Sequence, residues 1–245
     1  VGNLFQLLML DTRSIYRDKQ LNIEDYFEGN SINKSKYKKD LSVDRKLIGL
    51  EQMLWIKNNL NKKFKWSIIG QQVLMAQVFL PTIFANMNKK ILPDYLHKYL
   101  KIGGANVPYN TDAWDGYPKE RDRLFNELKK ANSVLVLTGD THNSWLNNLY
   151  DENNNFIGVE IGTPAISSPN TIDTFGSLTD GIEEGFIKEN KNVKWTEGKH
   201  KGYTLLKLTK DKSEVSFVYV NTVKSKVYEV IDTNKFNVKP NTPII

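Results

Sequence analysis

Ser133-Val134-Leu135-Val136-Leu137-Thr138-Gly139-Asp140-Thr141-His142-Asn143-Ser144-Trp145 is the stretch on which the reading of this chain turns. Residues 134–137 are a short apolar run rich in β-branched side chains. That pattern predicts a strand buried on both faces. Thr138-Gly139 is read as the place where the backbone turns, glycine having no Cβ. Asp140 and His142 follow the strand end at once, where open α/β sheets bind ligands. A carboxylate gives hard oxygen and a neutral imidazole gives nitrogen, so the two suit a metal. Asp after Gly is also ordinary turn chemistry, its carboxylate accepting local N–H groups. The chain has only His97, His142 and His200. His97 falls in a helical pattern and His200 in a Lys/Gly-rich loop, so His142 alone follows a buried strand.

Working outward, residues 4–10 (L-F-Q-L-L-M-L) predict a second buried strand, ending in Asp11-Thr12-Arg13. Residues 66–70 (W-S-I-I-G) predict a third and deliver Gln71 and Gln72 to its end. Residues 156–161 predict a fourth. Residues 14–40 are polar without clear period and read as an extended loop. A helix is expected over residues 50–60, with Leu50, Met53, Leu54 and Leu60 on its apolar stripe. Pro93 and Pro118 each suit a first helical turn, the second helix running to about residue 130 with Leu124, Phe125 and Leu128 inward. Between them lies the loop Y-N-T-D-A-W-D-G-Y. Its Asp112, Trp114, Asp115 and Tyr117 read either as a pocket wall or as a loop pinned to the core by Trp114. Residues 203–208, 214–220 and 225–231 predict an antiparallel meander. Residues 234–245 read as a polar tail. The sum is a mixed α/β chain with a layered core. Polar side chains collect at three strand ends, as Asp11/Arg13, Gln71/Gln72 and Asp140/His142.

The chain has 245 residues, no cysteine and a formal charge of +6. The length allows one large domain with a sizeable core. The absence of cysteine excludes disulfides, zinc–thiolate centres and cysteine nucleophiles. No apolar run reaches the roughly 18–20 residues of a bilayer span, and no signal peptide is read. The lysines are dispersed, and the densest group, residues 34–39, has Tyr37 as its only aromatic. This argues against specific nucleic-acid binding and leaves a general attraction for anionic substrates.

Six motifs in order carry a family resemblance: L-D-T-R at 10–13, G-L-E-Q-x-x-W at 49–55, W-S-I-I-G-Q-Q at 66–72, D-A-W-D-G-Y-P-x-E-R at 112–121, L-T-G-D-x-H-x-S-W at 137–145 and E-I-G-T-P-A-I-S-S-P at 160–169. Together they resemble the C-terminal part of the alkaline phosphatase D (PhoD-like) family, within the calcineurin-like metallophosphoesterases. The resemblance implies that residues 1–233 are the C-terminal portion of a four-layer αββα sandwich with mixed sheets. It implies a two-metal centre at the strand ends, iron with calcium by preference and zinc or manganese as the other candidates. The superfamily carries five ligand motifs. Gly139-Asp140-Thr141-His142 stands in the place of the last, usually G-H-x-H, with Asp for the first His. Gly70-Gln71-Gln72 stands in the place of the fourth, usually a strand ending in Gly-His. The first three motifs, D-x-H, G-D-x-x-[DN] and G-N-H-[DE], are not found elsewhere in the chain.

By this resemblance Asp140, His142, Gln71 and Gln72 are the expected metal ligands. Arg13 is the expected phosphate contact, with pairing to Asp11 as its structural alternative. Asp112, Trp114, Asp115 and Tyr117 are the expected substrate side. The implied activity is metal-dependent hydrolysis of a phosphate ester, monoester or diester, with a missing N-terminal half supplied in cis or in trans. The alternative is a non-catalytic remnant or scaffold. A periplasmic or secreted location follows from the resemblance alone.

Overall fold

The structure, a computed structural model, describes residues 2–245. Its strands are β1 (Phe5–Met9), β2 (Phe27–Glu28), β3 (Ser31–Ile32), β4 (Trp66–Gly70), β5 (Val134–Thr138), β6 (Ser144–Tyr150), β7 (Phe156–Gly162), β8 (Val193–Glu197), β9 (Lys201–Leu208), β10 (Ser213–Val220) and β11 (Val230–Val238). Its α-helices are α1 (Lys34–Leu41), α2 (Gly49–Asn59), α3 (His97–Ile102), α4 (Pro118–Leu128), α5 (Thr171–Phe175) and α6 (Thr179–Glu189). Six strands form one sheet in the order β1-β4-β5-β7-β6-β8, and three form a second in the order β11-β10-β9. β1, β4, β5 and β7 run parallel; β6 is antiparallel to β7 and β8.

The strand of residues 134–137 sits where its sequence predicts, inside the sheet and covered on both sides. Val134 and Val136 face the helices, and Leu135 faces the second sheet. Each such side chain contributes roughly 1.5–3 kcal/mol by leaving water. Trp66, Ile68, Val159 and Ile161 join Leu135 against Val215, Phe217 and Tyr219 of β10. The described residues thus make three layers: helices, a six-stranded sheet and a three-stranded sheet. The outer face of the small sheet is open to solvent, with Tyr203 52% and Leu205 58% exposed. No helix among the described residues is long and apolar enough to cross a membrane.

Several expectations change. β1 is not buried on both faces: it is an edge strand, with Leu7 49% and Met9 62% exposed. Helix α2 keeps part of its expected stripe: Met53 and Leu60 pack against the core, while Leu50 is 68% exposed and Leu54 is exposed too. Ile56 is fully buried, and Gln52 faces inward and bonds the backbone of Asp11. Residues 34–39 belong to α1, capped by Asn33, with Tyr37 buried and its hydroxyl donating to the Pro108 carbonyl at 2.7 Å. The lysines there are the solvated face of a helix, not a loop. The tail starts later than residue 234, because β11 runs through Val238, which is 2% exposed. Beyond it, the Asn241 side chain accepts from the Ser133 amide at 2.7 Å.

Candidate functional site

Parallel pairing brings four strand ends to one edge. In register, Met9 lies beside Gly70, Gly70 beside Leu137, and Leu137 beside Ile161. The residues after these strands therefore meet. The Gln71 amide donates to the Leu137 carbonyl at 3.0 Å and the Gly139 amide to the Gln72 carbonyl at 3.2 Å.

The turn after β5 is not made by its glycine. Asp140 (φ 70°) and His142 (φ 64°) both take the left-handed conformation, and Gly139 does not. Side-chain-bearing residues rarely sit there, and such strain collects at functional sites. Neighbours hold the conformation in place. The Trp145 indole donates to the Thr141 hydroxyl at 2.8 Å, and the Ala165 amide donates to the His142 carbonyl at 3.3 Å. His142 Nδ1 lies 2.7 Å from the Pro169 carbonyl oxygen. Since a carbonyl only accepts, Nδ1 carries the proton in this contact, and in the neutral ring that leaves the lone pair on Nε2. Metal-binding histidines are commonly oriented by such a bond.

Arg13 joins Asp140 to the 112–117 loop. Its two terminal nitrogens reach Asp112 Oδ2 and Asp140 Oδ1, each at 2.5 Å. Partial burial works against the guanidinium's charge, but the two carboxylates outweigh it and hold Arg13 more firmly protonated than usual. Arg17 braces the other side of Asp112 at 2.6 Å and lies over the Tyr117 ring. Asp11 is not the partner of Arg13. Its carboxylate caps its own turn, accepting from the Ser14 and Arg13 amides at 2.8 Å each, and those bonds hold its pKa low.

The remaining expected residues divide. Gln72 Oε1 accepts from the amide and hydroxyl of the buried Thr12 at 2.9 and 2.6 Å. Gln71 is buried, and its amide bonds both backbone groups of Val73 and the Trp114 indole. Trp114 and Tyr117 are fully buried, and the Tyr117 hydroxyl donates to the Asp18 carbonyl at 2.7 Å. Asp115 is 3% exposed, pairs with Arg121 at 2.6 Å and accepts the Val78 amide; burial raises its pKa despite the arginine. Only Asp112 of that loop reaches the Arg13–Asp140 group.

Two further carboxylates hold the frame. Glu120 accepts from the amides of Leu47, Ile48 and Gly49 at the start of α2. Glu160 in β7 accepts from Met75 at 2.5 Å, Ala76 at 3.0 Å and the Asn147 amide at 2.9 Å. Burial pushes Glu160 up to about 7. Both fall inside motifs quoted above, where nothing marks them as acceptors of backbone amides; Arg17 lies in a segment with no period to read.

A cleft of about 680 Å³ opens beside the group, with Leu7, Met9, Leu137 and Leu206 on its apolar wall and Arg13, Gln72 and Asp140 at its polar end. A second, of about 550 Å³, runs from Asp112 and Asp140 past Tyr99 and Tyr109 toward Lys19 and Lys98. Whether a metal suits the place can be judged from its donors. Asp140 is about one third exposed, and the Nδ1 contact of His142 leaves its Nε2 as the ring atom that could take a metal. No cluster of three or more His, Cys, Asp or Glu forms among the described residues. The donors fit part of a coordination shell; a hard cation takes about six or more oxygen ligands.

A family model described as PhoD-like phosphatase matches residues 1–217. A Bacillus subtilis (strain 168) protein, alkaline phosphatase D, is 32% identical over 216 residues, spanning 85% of this chain and 31% of that protein. A solved structure of PhoD aligns at a TM-score of 0.68 and 26% identity, over 97% of this chain and 40% of that one. This chain therefore spans well under half the length of the relatives it matches.

Proposed function

The chain belongs to the PhoD-like phosphatase family, and from that premise we propose that it carries one wall of a metal-dependent site hydrolysing phosphate mono- or diesters. The observation that carries the reading is the meeting of Arg13, Asp112 and Asp140 beside a turn strained at both Asp140 and His142. The group lies at the mouth of two clefts, and strain with close charge pairing in such a place is the pattern of a functional site.

Asp140 and His142 would hold a metal, with Gln72 beside them; iron with calcium is the favoured pair, and zinc or manganese the others. Gln71 would need to release its backbone partners to join. A bound metal supplies hydroxide at neutral pH and charge to clamp phosphoryl oxygens. The chain's own residues do the rest. Arg13 offers two parallel N–H donors, a geometry matched to a phosphate edge. On substrate binding it exchanges Asp112 and Asp140 for phosphate oxygens. Arg17 keeps Asp112 in place as Arg13 leaves. Trp114, Asp115 and Tyr117 act from the core, fixing the loop that presents Asp112.

The donors present are part of a shell, so the 245 residues need a complementing polypeptide that supplies the remaining ligands. In that polypeptide's absence they behave as the scaffold of the alternative reading. The test is hydrolysis of p-nitrophenyl phosphate and its bis-ester by the chain alone and with that polypeptide. The expected result is negligible turnover alone and chelator-sensitive turnover together. Robust turnover by the 245 residues alone would overturn the need for a partner, and no turnover in the complete assembly would overturn the activity.

A further inference from the structure

The end of the molecule that carries Asp140 and His142 also carries two strongly exposed apolar side chains, Val227 and Ile166. The loop joining β10 to β11 reads N-T-V-K-S-K-V-Y-E. Val227 is 83% exposed, Tyr228 60% and Val223 41%. Val230, just past the loop, is 57% exposed. The loop is not shapeless. Its ends are tied by the Asn221 amide donating to the Glu229 carbonyl and the Glu229 amide donating to the Asn221 side chain, both at 3.0 Å. Ser225 Oγ accepts the Val227 amide at 3.1 Å. These bonds order the loop, while its apolar side chains stay exposed.

The register places this tip beside the site. Val220, the last residue before the loop, pairs with Lys201 at the start of β9. The next residue, Gly202, donates to the Ala165 carbonyl, and the Ala165 amide donates to the His142 carbonyl. Ile166 is 79% exposed on that same connection. Two apolar prominences, Ile166 and the 223–228 tip, thus stand at the end where Asp140 and His142 lie.

Charge tells what kind of surface fits. Lys224 and Lys226 alternate with the apolar residues, and Glu229, at the base of the loop, is the one acid of residues 221–229. Neither ammonium has a salt-bridge partner among the described residues. Asp173, whose field Lys224 feels, is bridged by Lys201 at 2.5 Å. Protein–protein interfaces are depleted in lysine. Apolar and tyrosine side chains projecting between lysines match the boundary of an anionic bilayer, where acyl chains accept the former and lipid phosphates the latter.

We propose that Ile166 and the Val223–Val227–Tyr228 tip, with Lys224 and Lys226, dock this end of the protein onto an anionic lipid surface. The docked orientation turns the Asp140/His142 end toward the bilayer. Docking needs no metal and no turnover, so it stands or falls apart from the proposed activity.

The test is co-sedimentation of the 245-residue chain with vesicles of phosphatidylcholine alone or mixed equally with phosphatidylglycerol, at physiological salt. The chain is expected to pellet with the mixed vesicles and not with phosphatidylcholine. Val227→Asp, and Lys224→Glu combined with Lys226→Glu, should each weaken binding on the order of tenfold or more without moving the melting temperature. Leu50→Ser, on exposed helix α2, should leave binding unchanged. A wild-type chain left in the supernatant overturns the proposal. So does undiminished binding by Val227→Asp, which would reduce the effect to net charge. So does a dimer in sedimentation velocity that Val227→Asp dissolves, which would make the tip a contact between copies.

Discussion

Two sets of carboxylates in this molecule sit close together and behave differently. Glu120, Glu160 and Asp115 are 1%, 0% and 3% exposed, and each accepts backbone amides from a neighbouring segment. Asp112 and Asp140 are about one third exposed and are held by arginine side chains alone among charged partners, Arg13 for both and Arg17 for Asp112, whereas Asp115 has an arginine and a fixed amide together. A buried carboxylate bonded to fixed amides cannot change partners without unfolding its surroundings. A half-exposed carboxylate held by a long, mobile side chain can. The first set builds the loops; on the function proposed above, the second takes a cation or releases its arginine to an anion. The difference lies in what the oxygens bond to, not in residue type.

The sharpest way to break this contrast is to remove a buried acceptor. Glu120→Ala leaves three amides at the head of α2 without a partner. It should destabilise the chain by about 4 kcal/mol, read by urea denaturation. A loss below about 1 kcal/mol, the scale of an exposed pair, would show that the two sets do not differ.

Next in size is a pH effect at Glu160. Its pKa is raised in the fold, from an ordinary 4.5 to about 7. Between those values the folded state binds more protons than the unfolded one, so this group's contribution is full below about pH 4.5 and declines as pH rises through about 7. The shift corresponds to about 3 kcal/mol in all. Glu160→Gln should flatten that part of the stability–pH curve. An unchanged slope between pH 5 and about 7 in the variant would remove Glu160 as its source.

Smallest is the effect of Arg13→Ala on stability. Arg13 and its two partners are each about one third exposed, so solvent screening limits the loss to roughly 0–1 kcal/mol. In the completed enzyme the same change should lower the rate about 100-fold, since a charge-assisted phosphate contact is lost. A large stability loss with a normal rate would place Arg13 with the scaffold.

The same contrast explains what the sequence made legible. The V-L-V-L run announced its strand because both faces are apolar, and its neighbours announced a shared edge. β6 did not, because S-W-L-N-N-L-Y hides Asn147 and Asn148 in the core, each bonded there, to Glu160 and to the Ile244 backbone. Helix α6 was masked by Gly181 and Gly185. They lower helix propensity, and Gly185 admits Pro81 at a distance where a Cβ would collide. That Asp140 and His142 follow a strand end was readable from the V-L-V-L run before them. Trp114, Asp115 and Tyr117 were ambiguous because a loop rich in aromatics and acids looks alike whether it faces solvent or core. The pairing of Arg13 with Asp112 and Asp140 spans 99 and 127 residues of chain, a separation no local pattern reveals.

The central claim is that the partner-changing carboxylate and the oriented imidazole hold metal. The direct measurement is metal content, by atomic emission, of the chain assembled with the complementing polypeptide, alongside its phosphoesterase rate. Asp140→Ala and His142→Ala should each lose bound metal and about 100-fold or more in rate. His97→Ala, whose ring bonds the carbonyls of Lys89 and Leu92 away from the site, should match the parent. Full metal occupancy and rate in His142→Ala, with both lost in His97→Ala, would contradict the account.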